Sequence, residues 1–303
     1  MDSEKILEKI NKLRKEKKAL IVAHNYQIPE VQDLADFTGD SLGLARKCAD
    51  AEEQMIIFCG VKFMAETAKV LSPGKKVIIP RIDAGCPLAD TITYDEMLEY
   101  REKYPDHTMV GYVNTNAEVK TLLDYCVTSA NAVDIVKKIK NDKIVFVPDK
   151  NLGEWVKKNV PEKEIILHDG GCYVHHKFTA EDVDSSKKAH PDGVVLSHPE
   201  CAAEVLDRSD AIASTSQMIT YIKENPDKKK FIIGTEEGHI HAMKKARPDA
   251  VFYSLGTAKT CRNMKKTLLK DVLSALEKEE TAVVLDEDIV KKAILPITRM
   301  VEL

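Results

Sequence analysis

The sequence predicts an α/β protein made of three homologous αβα repeats, with parallel sheets around a pseudo-threefold axis and one central active site. Two observations carry that expectation. Short, continuous apolar runs of strand length alternate with helical patterns, as in parallel sheets covered on both faces. The same order of landmarks then recurs three times at nearly constant spacing.

The first copy opens on a helical pattern, apolar at Ile6, Ile10 and Leu13. A strand-like run over 19–23 ends at His24; its counterparts end at Tyr112 and His198, offsets of 88 and 86. Helical patterns open at Ser41, Ser129 and Thr215, again 88 and 86 apart. These hydroxyls read as N-caps, at helix starts whose free N–H groups suit anions. The next strand-like runs end at Gly60, Pro148 and Gly234, at the same offsets. Runs over 77–80, 165–167 and 250–253 then precede Cys86, Cys172 and Cys261, spaced by 86 and 89. Thr93 with Glu96 and Thr179 with Asp182 read as capping boxes that start new copies. The expected units are 1–90, 91–178 and 179–303. The last ends in an extra helix over 286–303 that Pro296 kinks or breaks.

Composition narrows the function. The 303 residues are 44% apolar and 31% charged, the profile of a globular chain. A net charge of −4, with no basic block interleaved with aromatics, gives no reason to expect a nucleic-acid partner. The N-terminus is charged from its first residues, and no apolar run reaches the roughly 20 residues of a membrane span. A cytoplasmic protein with no membrane association is expected. Seven cysteines and no Cys-x-x-Cys pair argue against a disulfide framework and the common zinc spacings.

Ligands of parallel α/β units gather at the carboxyl ends of the strands. Three copies around one axis bring all these strand ends to one cavity. Cys86, Cys172 and Cys261 share a repeat phase; Cys48, Cys59, Cys126 and Cys201 do not. Three phased thiolates suit a metal group with one position left open for substrate. Inert thiols left over from duplication are the competing reading, and the residues alone keep both open.

Several motifs resemble quinolinate synthase. They are Ala23-His24-Asn25-Tyr26-Gln27 with Pro29-Glu30, Gly39-Asp40-Ser41, Tyr112-Val113-Asn114, and 128–132 with Thr128 and Ser129. Residues 148–153, His198-Pro199-Glu200-Cys201, Ser214-Thr215 with Gln217-Met218, and Cys261 with Met264-Lys265 complete the set, which spans nearly the whole chain.

The resemblance implies a transferase of NAD biosynthesis that condenses iminoaspartate with dihydroxyacetone phosphate, releasing phosphate and water. It implies a [4Fe–4S] cluster on Cys86, Cys172 and Cys261 with one open iron acting as a Lewis acid, and a functional link to an L-aspartate oxidase or dehydrogenase. His24, Ser41, Ser129, His198, Ser214 and Thr215 resemble the contacts to substrate carboxylate and phosphate. Tyr112 and Asn114 resemble residues that orient substrate. Tyr26 and Glu200 are expected to transfer protons, with Tyr112 and His198 beside them. Glu30, Glu66 and Glu154 are expected to be solvated or to cap helices, and His175 and His176 to hydrogen-bond near the cluster. Another iron–sulfur hydro-lyase, or an iron–sulfur sensor or carrier, are the rival readings.

Overall fold

The computed structural model describes residues 3–302. The first unit runs α1 (Ser3–Glu16), β1 (Ala19–His24), α2 (Pro29–Leu34), β2 (Phe37–Gly39), α3 (Ser41–Asp50), β3 (Met55–Cys59), α4 (Lys62–Leu71), β4 (Lys76–Ile78). The second repeats that order: α5 (Tyr94–Lys103), β5 (Thr108–Tyr112), α6 (Ala117–Lys120), β6 (Tyr125–Val127), α7 (Ala132–Lys138), β7 (Lys143–Val147), α8 (Lys150–Asn159), β8 (Glu164–Leu167). So does the third: α9 (Ala180–Ala189), β9 (Val194–Ser197), α10 (Ala203–Leu206), β10 (Ala211–Ile212), α11 (Thr215–Glu224), β11 (Lys230–Gly234), α12 (His239–Ala246), β12 (Val251–Ser254). Helices α13 (Leu269–Lys278) and α14 (Glu287–Glu302) follow.

Each unit builds one four-stranded, wholly parallel sheet, and the strand order is the same three times: β2-β1-β3-β4, β6-β5-β7-β8 and β10-β9-β11-β12. The central strands are buried along their length because helices cover both faces. The register refines the repeat by one position. Cys59, Val147 and Gly234 pair with the equivalent residues Ala23, Gly111 and Ser197, so the third copy is offset by 87 here rather than 86.

The short edge strands β2, β6 and β10 escape a period-based reading, and one aspartate explains how each is held. Asp36, Asp124 and Asp210 accept the N–H of Ile21, Met109 and Val195 through the side chain at 2.9, 2.7 and 2.8 Å. Their own N–H groups donate to the carbonyls of the same three residues. Arg14, Arg101 and Lys187, from the first helix of each unit, pair with these carboxylates at 3.1, 2.9 and 2.9 Å. Each edge strand is thereby tied both to its neighbour and to its leading helix.

The capping boxes expected at Thr93 and Thr179 are present. Helix α13 lies one further step along the same phase, and its apolar face packs with α1 on the first sheet: Val272, Leu273 and Leu276 join Ile10, Ile21 and Ile57. After it, Val283 donates to the Val77 carbonyl beside the edge of that sheet. Helix α14 runs through Pro296 without a break, one of the two effects expected there; Pro296 lies on its buried face with Ala293, Ile297 and Met300. Arg46 of the first unit and Asn131 of the second donate to the carbonyls of Val301 and Met300, so α14 clasps those two units. Leu303, the last residue of the expected helix, lies outside the described residues. No helix among the described residues is long and apolar enough to cross a membrane.

Candidate active site

The carboxyl ends of the three sheets face one cavity of about 70 Å³. His24, Tyr112 and His198, at or just past the ends of β1, β5 and β9, line it, as do Tyr26, Ser41, Asn114, Ser129, Glu200 and Thr215. Ser214 does not: it is fully buried, and its hydroxyl accepts the N–H of Gln217 as the N-cap of α11.

Cys86, Cys172 and Cys261 line the same cavity, and none is in a disulfide. They occupy equivalent turns. Each cysteine carbonyl accepts the N–H four residues on, of Asp90, His176 and Lys265, at 3.1, 3.0 and 3.2 Å. The N–H groups of Ala89, His175 and Met264 face the sulfurs and favour thiolate. Burial outweighs them, pushing the Cys86 thiol to about 12 and raising Cys172 and Cys261. A metal group must therefore displace protons to bind. Cys48, Cys59, Cys126 and Cys201 are buried away from the cavity. Three thiols aimed into one pocket, each with a thiolate-favouring donor, fit an iron–sulfur group. Cys172, His175 and Glu200 also bring one ligand atom each within 4.8 Å of one another.

A hydrogen-bonded chain runs beside the thiols. The Tyr26 hydroxyl lies 2.6 Å from Thr235 Oγ1, which is 3.0 Å from His175 Nε2. His175 Nδ1 is 2.8 Å from Glu200 Oε2, and the Tyr112 hydroxyl donates to Glu200 Oε1 at 2.5 Å. With the imidazole neutral, the carboxylate fixes its proton on Nδ1 and leaves Nε2 to accept from Thr235. Burial, then the Glu200 charge, raises both tyrosines well above the usual phenol value, so they keep their protons at neutral pH. Burial alone would raise Glu200, but His175, His198 and the Tyr112 hydroxyl outweigh it and hold the carboxyl below the usual range. Burial also keeps His24 and His198 neutral, lowering each to about 3.

The expectation that Ser41, Ser129 and Thr215 are N-caps is corrected. Asp40 and Ser214 cap α3 and α11, leaving Ser41 and Thr215 as first helical residues; Ser129 lies in the turn before Asn131 and α7. Their hydroxyls are thus not spent on capping. Ser129 meets His198 Nε2 at 3.1 Å, and Thr215 accepts from Asn25 at 3.0 Å. Glu30 and Glu154 are exposed as expected. Glu66 is buried, not solvated; it accepts the N–H of Ala117 at 2.9 Å, capping a helix of the next unit. His176 is exposed.

Sequence reasoning missed Thr235, Asn25, Lys120, Asp149 and Glu236. Lys120 is fully buried and bonds the carbonyl of Thr115, holding the loop that carries Tyr112 and Asn114. The phase of Thr235 pointed away from it, because its repeat mates are Gly60 and Pro148. Asn25 stood next to His24 in a quoted motif, a signal that was available.

A triplicated α/β scaffold that turns three thiols and an acid–base chain onto one cavity defines the active site of an enzyme with donors for a metal group. The family model for quinolinate synthetase A protein matches residues 8–302. The chain is 50% identical over 303 residues to a quinolinate synthase of Caldicellulosiruptor saccharolyticus, covering 100% of both chains. It is 49% identical to one from Thermodesulfovibrio yellowstonii, covering 98% of each, and 48% identical to one from Thermotoga maritima, covering 98% of this chain and 99% of the relative. The chain belongs to the quinolinate synthase family.

Proposed function

We propose that this chain condenses iminoaspartate with dihydroxyacetone phosphate to give quinolinate, with loss of phosphate and water, on Cys86, Cys172 and Cys261 carrying a [4Fe–4S] cluster. The observation that carries the reading is the placement of the three phased thiols on the same cavity as Ser41, Ser129 and Thr215 and the Tyr26–Glu200 chain. Bound there, the cluster supplies an open iron as a Lewis acid for a substrate oxygen.

The chain's own residues do the rest. Ser41, Ser129, Thr215, His24 and His198 offer hydrogen bonds to two carboxylates and a phosphate. Asn114 lines the cavity with an Oδ1 that has no partner among the described residues, free to accept from an imine or hydroxyl of the substrate. Tyr26 takes a substrate proton as its own passes through Thr235 and His175 to Glu200, the direction in which these donors point. Glu200, held as a carboxylate, receives protons and orients Tyr112.

Location in the cytoplasm, and supply of unstable iminoaspartate by an L-aspartate oxidase or dehydrogenase, belong to the same proposal. So do the three units bounded near residues 90 and 178. The test is phosphate release under exclusion of oxygen. It should require both substrates together; release from dihydroxyacetone phosphate alone, or dehydration of a single substrate, would sink the reading.

A further inference from the structure

We propose that Glu236 and Lys265 are positioning residues that hold Tyr26 and Cys261 in one rigid frame across the seam between the first and third units. Glu236 lies two residues past β11 and is fully buried. Its Oε1 accepts the Cys261 N–H at 3.0 Å, and its Oε2 accepts the Gly238 N–H at 2.7 Å. Lys265 Nζ sits 2.9 and 3.0 Å from the two oxygens and donates to the Tyr26 carbonyl at 2.7 Å.

Tyr26 is therefore gripped at both ends by consecutive residues. Thr235 takes its hydroxyl, and Glu236, through Lys265, takes its carbonyl. The fit leaves no slack: a Cβ on Gly238 would lie 2.5 Å from Lys265 Nζ and 2.9 Å from Glu236 Oε2.

The three copies show that this is not a general feature of the repeat. At the position of Glu236 the second unit has Asp149, which accepts the Cys172 N–H at 3.2 Å, and the first has Val61. At the position of Lys265 they have His176 and Asp90. An acid paired with a cation occurs in the third unit, where the Tyr26 loop of the first unit meets it. A buried carboxylate with a close cation and two backbone donors is fully satisfied and geometrically fixed. Groups that orient a metal ligand in this way typically change affinity or activity about 10–100-fold when removed.

The inference rests on Cys261 being a cluster ligand, so Cys261→Ser is measured in parallel. Glu236→Gln and Lys265→Met, nearly isosteric, are made in the full chain and loaded anaerobically. Turnover, KM for each substrate and the rate of iron release to a ferrous chelator are read. Both variants should lower kcat about 10–100-fold with KM little changed. Glu236→Gln should also speed iron release about tenfold or more, and Lys265→Arg should recover most of the kcat lost in Lys265→Met. Wild-type kcat and iron release in both variants, or a fall in melting temperature without either change, overturns the proposal. If a single variant fails to fold, the double variant, which removes both charges, must show the same two losses or the proposal fails. Full iron retention in Cys261→Ser would instead overturn the ligand reading beneath it.

Discussion

The Tyr26 hydroxyl lies 2.6 Å from the Thr235 hydroxyl, and that contact joins the first unit to the third at the head of the chain leading to Glu200. If the chain carries protons, Thr235→Val should lower turnover by on the order of 10²–10⁴-fold, as Tyr26→Phe and Glu200→Gln should. Residues of one relay are non-additive, so the Tyr26→Phe/Thr235→Val double variant should be little worse than either single one. Additive losses, measured as kcat in anaerobic turnover, would break the relay into separate contacts.

The three equivalent turns make a selective claim about sulfur. Cys86→Ser, Cys172→Ser and Cys261→Ser should each abolish the broad visible absorption of the cluster together with activity. Replacement of Cys48, Cys59, Cys126 or Cys201 by Ala should leave both, since these thiols lie in the core away from the cavity. Iron and sulfide content per chain is the check, and a ligand outside the phased set would contradict the assignment.

Neighbours 214 and 215 should separate cleanly. Ser214→Ala removes an N-cap and should cost about 0.5–2 kcal/mol of stability with KM unchanged. Thr215→Ala, like Ser41→Ala and Ser129→Ala, removes a hydroxyl that lines the cavity. A hydrogen bond to a charged group is worth about 1.5–3 kcal/mol, so KM for one substrate should rise roughly 10- to 150-fold. Urea denaturation and initial-rate kinetics on the same preparations decide; unchanged KM in all three would leave those hydroxyls without a binding role.

Acid should destabilise the fold in a defined window. Burial lowers His24 and His198 to about 3 and His239 to about 4. The unfolded histidines take up protons near pH 6.5 while the folded ones do not, so stability is full above that value and falls as pH drops towards 4. Each such histidine contributes a slope of up to about 1.4 kcal/mol per pH unit. His239 is fully buried, and only a contact to the Thr215 backbone opposes the lowering. His239→Leu should flatten the slope by about one residue's share, read from urea midpoints between pH 7 and 5; an unchanged slope would mean that this imidazole is already charged or solvated.

What the chain discloses without a structure follows from which interactions are local. Strand ends at His24 and Tyr112 are legible because a buried parallel strand is a continuous apolar run, and the run stops where the cavity begins. The phased cysteines are legible because each turn is built from its own short segment. The edge strands are not, since two or three residues carry no period, and the aspartates that hold them act through a contact 15 residues away, as Asp36 does on Ile21. The caps of α3 and α11 were misplaced by one position because Asp-Ser and Ser-Thr offer two capping side chains in a row, and backbone geometry chooses the first. Thr235 directly, and Glu236 through Lys265, act across the seam between the first and third units, where no spacing along the chain announces a partner.

Helix α13 stands where a fourth copy would begin, yet its apolar face completes the first. During synthesis the amino-terminal sheet therefore emerges with one side only partly covered, by α1, and Ile10, Ile21 and Ile57 wait for Leu273 and Leu276 until nearly all of the chain has left the ribosome. The first unit to be made is in this sense the last to be finished. The closing contact has among the longest sequence separations in the molecule, which slows its formation. A chain cut short near its end would leave its beginning sticky, and the nascent protein needs shelter for that surface over most of its time on the ribosome.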